Sequence, residues 1–146
     1  MPLDPAVFTV STRGEDVDRE RLFQFLNEES GWATGISREI VNRAVENSLN
    51  FALLDADGVQ RGYARVVTDR ATFAWLCDVY VDEDLRGLGL SHLLLEVVDG
   101  HPDLLGLRRW ILATSTAPWL YEKYGWQPVA RPEIWMERHR PYPQPS

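Results

Sequence analysis

The sequence is poor in several residue types, and each shortage narrows what the protein can do. Its 146 residues contain one cysteine, Cys77. An internal disulfide is therefore impossible, and a reducing, cytoplasmic setting is expected. No uninterrupted apolar run approaches the roughly 20 residues of a membrane span. The first residues, Met1-Pro2-Leu3-Asp4-Pro5, have neither a basic nor an apolar signal region, so no signal peptide and no membrane partner are expected. The histidines, His92, His101 and His139, are scattered and form no metal-ligand set, so no metal is expected. Positive charge is outnumbered: 15 Lys and Arg face 22 Asp and Glu, a net charge of −7. A nucleic-acid-binding protein needs a basic face, so that class is disfavoured, whereas a cationic substrate such as an amine is compatible.

Apolar residues make up 45% of the chain, as in a globular protein. The length fits one domain, taken as residues 1–140, followed by a Pro-rich tail, 141–146, expected to be extended and loosely held. The most informative stretch runs from Phe73 to Asp99. Phe73 to Val81 is rich in aromatic and β-branched residues, as a buried strand is. The acidic Asp82-Glu83-Asp84 ends it, Arg86-Gly87-Leu88-Gly89-Leu90-Ser91 follows, and Leu90, Leu93, Leu94, Val97 and Val98 recur at helical spacing. A glycine turn opening a helix is either a plain turn or a seat for an anion, because the first-turn N–H groups are free and glycine lets a phosphate approach. It is not a P-loop, which needs Gly-x-x-x-x-Gly-Lys-Ser/Thr. Nor is it a dinucleotide fingerprint, since His92 stands where the third glycine belongs.

Upstream, Ala6–Ser11 reads as a first strand and Glu15–Ser30 as a helix with Leu22, Phe25 and Leu26 on its apolar stripe. Gly31–Gly35 is a loop carrying Trp32. Ser37 caps a second helix, Arg38–Asn47, with Ile40, Val41, Ala44 and Val45 inward. Phe51–Leu54 and Gln60–Thr68 flank Asp55-Ala56-Asp57-Gly58, a hairpin signal. Downstream, Arg109–Thr114 reads as a strand, Trp119–Tyr124 as a short helix capped by Ser115 or Thr116 and ended by Gly125, and Trp126–Val129 with Glu133–Arg138 as a closing pair of strands. The order β-α-α-β-β-β-α-β-α-β(β) predicts an α+β (mixed α/β) fold, a mostly antiparallel mixed sheet flanked by helices.

Two motifs, about thirty residues apart, resemble those of the GNAT superfamily of N-acetyltransferases. Val81 followed by Arg86-Gly87-Leu88-Gly89-Leu90-Ser91 resembles the family's Arg/Gln-x-x-Gly-x-Gly/Ala loop, and Leu120-Tyr121-Glu122-Lys123-Tyr124-Gly125-Trp126 resembles its Leu-Tyr-Glu-Lys-x-Gly-Phe ending. The element order agrees over nearly the whole chain. Ser91 replaces the usual Gly or Ala, Trp126 the usual Phe, and Thr114 stands where an Asn that contacts the cofactor is common.

The resemblance implies transfer of an acetyl group from acetyl-CoA to a primary amine of a small molecule or protein, in a sheet splayed at the acetyl-CoA site. It implies pantetheine pairing with Val79, Tyr80 and Val81, and pyrophosphate on the amides of Arg86, Gly87, Leu88, Gly89, Leu90 and Ser91, with Thr114 as a further contact. The Val79 N–H would meet the thioester oxygen, and Tyr121 would protonate the leaving thiolate, with Tyr124 as its rival. Asp78 is the first candidate for the base that takes the amine's proton, although Cys77 replaces the acid that several branches carry beside it. Strand alternation sends Cys77 and Asp78 to opposite faces unless a bulge intervenes, and a structural carboxylate at Asp78 is the competing reading. Cys77 is expected in the core. Phe25, Trp32 and Trp75 are candidates for an aromatic acceptor slot, with plain core packing as the alternative for Phe25 and Trp75. A non-catalytic acyl-CoA-binding regulatory module and, more remotely, a nucleotide-binding protein are the competing readings. Exposed C-terminal strands leave a homodimer open.

Overall fold

The strands in the middle of the chain are apolar on both faces, and that double burial builds the scaffold. The computed structural model describes residues 7–143. Its sheet has five strands in sequential order: β1 (Thr9–Ser11), β2 (Leu49–Leu54), β3 (Gln60–Thr68), β4 (Phe73–Val81) and β5 (Arg109–Ile111). The first four are antiparallel, and β5 lies parallel to β4, which makes the sheet mixed. The fold is α+β, as the element order predicts. The β2–β3 turn closes through Gly58 at φ 78°, whose N–H donates to the Asp55 carbonyl at 3.0 Å.

The two faces of the sheet carry separate cores. Phe51, Leu53, Ala64, Val66, Ala74 and Leu76 bury one face against Leu90, Leu94, Leu95 and Val98 of α3 (Leu90–Asp99) and Leu120 of α4 (Pro118–Glu122). Ala52, Tyr63 and Tyr80 bury the other against Leu22 of α1 (Arg19–Gln24), Phe25, Leu26, and Val41 and Val45 of α2 (Arg38–Glu46). Ser37 caps α2 as expected, accepting from the Ile40 N–H at 3.2 Å. Ile40 itself is exposed, because the inward face of this helix is only as wide as Val41, Val45 and half-buried Ala44.

Several elements differ from the sequence reading. Of the first strand only Thr9–Ser11 pairs, and Ala6 lies outside the described residues. The first helix is broken: Gly14–Asp16 forms a 3-10 turn, Asp18 caps α1 by accepting from the Arg21 N–H at 2.9 Å, and Phe25–Glu29 continues as a π-helical turn. Neither Trp126–Val129 nor Glu133–Arg138 is a strand, and Pro132–Ile134 is a 3-10 turn. Ile134, Trp135 and Met136 have strand-forming side chains, but a strand also needs a ladder partner, and here the side chains stay exposed. The short α4 helix is preceded by Ala117 rather than by Ser115 or Thr116, with the Thr114 hydroxyl accepting from the Ala117 N–H at 3.1 Å. Of the tail, Tyr142 packs against the second core, while 144–146 lie outside the described residues. Among the described residues no helix is long and apolar enough to cross a membrane.

The break that positions the site is in β4. Its pairing with β5 covers only Phe73, Ala74 and Trp75, and beyond Trp75 the two strands part. On the other side a bulge sets in: Tyr63 pairs with Tyr80 and Arg65 with Cys77, so Asp78 and Val79 together oppose the single residue Ala64. Asp78 takes φ 53°, a conformation L-residues rarely adopt.

Candidate active site

The opening between β4 and β5 is one wall of a cavity of about 770 Å3. Val79, Tyr80 and Val81 line it, and with no β5 partner at these positions their outer edge is open to an extended ligand. The strand then turns through Glu83–Leu85 into the glycine loop, and Arg86, Gly87, Gly89, Leu90 and Ser91 continue the wall. Gly87 and Gly89 have φ 88° and 77°, and a Cβ on either would meet no protein atom within 4 Å. Gly89 is the N-cap of α3, and no side chain caps that helix. Its first-turn amides therefore face an unfilled space, which is the arrangement an anionic group requires.

Charge around the loop is arranged to the same end. Asp82 is shared by Arg21 at 2.9 Å and Arg61 at 2.9 Å, and Arg61 also holds Asp84 at 2.7 Å. These pairs engage Asp82 and Asp84 beside the loop. Arg86 makes no ion pair among the described residues, so its guanidinium is available to the cavity. Leu88 does not line the cavity; it packs against the first core and anchors the loop.

The far wall comes from α4. Thr116, Ala117, Trp119, Leu120 and Tyr121 line the cavity, and Tyr121 also borders an adjoining space of about 460 Å3 that runs along Trp110–Thr114. Thr114 lies in this second space rather than the first. Burial pushes the Tyr121 phenol above its ordinary pKa. Tyr124 is placed differently: its hydroxyl is 2.7 Å from His92 Nδ1 and donates to the His92 carbonyl at 3.3 Å. Of the two tyrosines, Tyr121 is therefore the one at the cavity.

The mouth is built by the π-helical turn and the loop after it. Phe25, Glu29, Ser30 and Trp32 line it. Phe25 stacks on Tyr80 at 3.8 Å and meets Trp32 edge-on at 5.7 Å, while Trp32 remains 56% exposed. Trp75 is not part of this group. It sits in the paired stretch of β4, opposite Val67 and Ile111, before the strands part.

Asp78 and Cys77 are brought to one face by the bulge. The Asp78 carboxylate accepts from Arg65 Nε at 2.8 Å and from the Trp32 indole at 3.3 Å, so both oxygens are engaged, and it does not line the cavity. Burial, with Asp78 beside it, pushes the Cys77 thiol up to about 12, only partly offset by Arg65. The thiol is held as an inert, partly buried group. No set of three or more His, Cys, Asp or Glu side chains among the described residues is placed to hold a metal ion.

Glu29, Ser30, His92, Thr116, Ala117 and Trp119 are cavity residues that the sequence reading did not single out. Glu29 and Ser30 adjoin the loop of Trp32, and His92 directly follows Ser91. Proximity to the motifs was the available signal, but their inward placement depends on the π-helical turn and on the phase of α3.

Comparison with known proteins agrees with this geometry. The family model of the acetyltransferase (GNAT) domain matches residues 46–128. A Xanthomonas campestris protein described as an acetyltransferase of the GNAT family is 43% identical, with 92% of this chain and 94% of that one covered and a TM-score of 0.89. Two more distant structures share the fold. An acetyltransferase-like protein of Deinococcus radiodurans is 20% identical over 93% of this chain and 92% of that one, with a TM-score of 0.72. The glucosamine-6-phosphate N-acetyltransferase of Arabidopsis thaliana is 20% identical over 90% and 97%, with a TM-score of 0.65. Among curated proteins nothing matches the chain. The matched domain and the 43% identity over nearly the full length establish that this chain belongs to the GNAT family of acetyltransferases, which use acetyl-CoA as co-substrate.

Proposed function

We propose that the protein transfers the acetyl group of acetyl-CoA to a primary amine of a small molecule or protein, by direct attack of the amine on the thioester. The observation that carries this reading is the single cavity joining the open edge of Val79–Val81, the uncapped glycine-loop amides, Tyr121 and the aromatic mouth of Phe25 and Trp32. Acetyl-CoA, when bound, supplies an activated acyl carbon and a good leaving thiolate. The Gly87–Ser91 amides and Arg86 hold its pyrophosphate, and the unpaired strand edge takes its pantetheine.

The chain's own task is proton management. An alkylammonium with a pKa of about 10.4 must lose a proton before it can attack, at a cost of roughly 4 kcal/mol near neutral pH. The leaving thiolate must gain one. Tyr121 is the donor in this reading. A phenol near pKa 10 is already about 2 kcal/mol uphill from a thiol near 8.5, and burial raises the phenol further, so donation relies on position and on the commitment of the departing sulfur. The Val79 N–H, in the bulge, is the donor to the thioester oxygen. Asp78 acts as a positioning group that fixes Trp32 and Arg65. Thr114 and Leu88 support the α4 start and the loop. A cytoplasmic setting is proposed on the lone, partly buried cysteine. Pairing of two chains through exposed Ile134, Trp135 and Met136 is proposed on their exposure, and light scattering reads it.

Calorimetry with acetyl-CoA, followed by thioester turnover over an amine panel, tests the main reading. Binding plus turnover that falls about 100-fold in Tyr121→Phe is expected. Absence of acetyl-CoA binding sinks it, and tight binding with no turnover on any amine would assign a regulatory module instead.

A further inference from the structure

One carboxylate lines the acceptor end of the cavity among the described residues, and it is Glu29 rather than Asp78. It ends the π-helical turn Phe25–Glu29, whose wide register is closed by the Ser30 N–H donating to the Phe25 carbonyl at 2.8 Å. Such turns occur frequently at functional sites. Arg21 holds one Glu29 oxygen at 2.6 Å while its other nitrogen grips Asp82 at 2.9 Å and its guanidinium lies 5.8 Å from the Tyr80 ring. The Glu29 side chain is still 50% exposed, and the Arg21 bond engages one of its two oxygens. Beside it Trp32 is 56% exposed, its indole N–H donating to Asp78 and its ring meeting Phe25 edge-on. The cavity is thus polarised: Arg86 and the glycine amides at the cofactor end, a carboxylate and an aromatic face at the mouth.

We propose that Glu29 receives the acceptor's ammonium and takes its proton, and that the acceptor is a primary ammonium on a flat, apolar body laid against Trp32. The proposal rests on the acetyl-transfer reading above. A carboxylate and an indole face are complementary to an alkylammonium and its hydrocarbon, and to neither a carboxylate nor a phosphate. In the step, the ammonium nitrogen gives one proton to Glu29, which releases it to solvent at the mouth. The freed lone pair forms the C–N bond as the C–S bond breaks. The nitrogen's second surplus proton leaves to water, the sulfur takes its proton from Tyr121, and the tyrosinate is reprotonated from solvent, so each turnover releases one proton net.

The test uses acetyl-CoA with benzylamine, protonated at neutral pH, and aniline, which is not, on the wild-type chain and on Glu29→Gln. The expected result is turnover of benzylamine by the wild type and a fall in kcat/KM of about 100-fold in the variant near neutral pH, recovering as pH rises and the free amine appears. Turnover of aniline should fall less than about threefold, since it has no proton to give up before attack. Benzylamine binding with CoA present, read by calorimetry, should weaken about tenfold. Equal losses for both amines, or no loss, would overturn the role. Wild-type binding of acetyl-CoA with transfer to neither amine would overturn the acceptor class. A pH-rescued loss in Asp78→Asn but not in Glu29→Gln would move the role to Asp78. Failure of the wild type to bind acetyl-CoA would instead overturn the parent reading.

Discussion

The bulge at Asp78 offers the sharpest test of how the site is built, because two opposing energies meet in one residue. Asp78 sits at φ 53°, where a side chain costs about 1–2 kcal/mol relative to an ordinary conformation. Its carboxylate pairs with Arg65 at 2.8 Å, the two side chains being only 10% and 18% exposed. Removing the carboxylate strands the guanidinium with Ser48 Oγ, 3.0 Å away, as its remaining partner. An uncompensated charge in such a place costs about 3–5 kcal/mol. Asp78→Ala should lose about that much, since Ala keeps the backbone strain. Asp78→Gly loses the same pair but relieves the strain, and after about 0.5–1 kcal/mol for glycine's greater freedom when unfolded it should be the more stable variant by about 1 kcal/mol. Urea denaturation at neutral pH reads the gap. With slopes of about 1–3 kcal/mol/M, it is a midpoint difference on the order of 0.5 M. Replacing Arg65 by Met in the Asp78→Ala chain should recover most of the loss, because the stranded charge is gone. Two results would refute the reasoning: a glycine variant no more stable than the alanine variant, or an alanine variant within about 1 kcal/mol of wild type.

Other outcomes follow from single groups. Gly89→Ala adds a Cβ at φ 77° in space that holds no protein atom, so stability should drop by about 1 kcal/mol and acetyl-CoA binding, by calorimetry, should weaken about tenfold. Leu94→Ala, in the fully buried centre of α3, should cost about 2–5 kcal/mol in urea denaturation, and a loss below about 1 kcal/mol would contradict the packing described. Alkali should unfold the chain through its buried phenols: burial pushes Tyr80 up to about 12 and Tyr63 and Tyr121 also upward. The unfolded phenols lose protons first, near pH 10, so stability is intact below that value and falls as pH rises toward 12. Tyrosinate absorbance should appear together with loss of helical signal, and early ionisation of all five tyrosines in a folded chain would count against it.

Much of the fold and part of the site were legible in the chain because they depend on neighbours in sequence. The hairpin at Gly58, the strand Phe73–Val81, the glycine loop and the Gly125 stop are local chemistry, and each stands where the residues predict it. Asp78 was legible as a residue of interest but not in its placement. Its face depends on a bulge against Ala64, a register choice between two strands that no periodicity in either one records. The closing strands were misread for the opposite reason: Ile134-Trp135-Met136 satisfies a local preference that the sheet does not answer.

By itself, then, the sequence determined the order of the strands and main helices as far as α4, the helix-opening glycines and the aromatic supply of the mouth, all of which follow from backbone sterics and spacing. The tertiary structure alone decided where β4 leaves β5, which tyrosine reaches the cavity, and that Glu29 rather than Asp78 stands at its mouth. Those choices are made by contacts between segments far apart in the chain. Arg21 reaches Asp82, Trp32 reaches Asp78, and Tyr124 turns to His92, and only the folded sheet brings such partners within hydrogen-bond range.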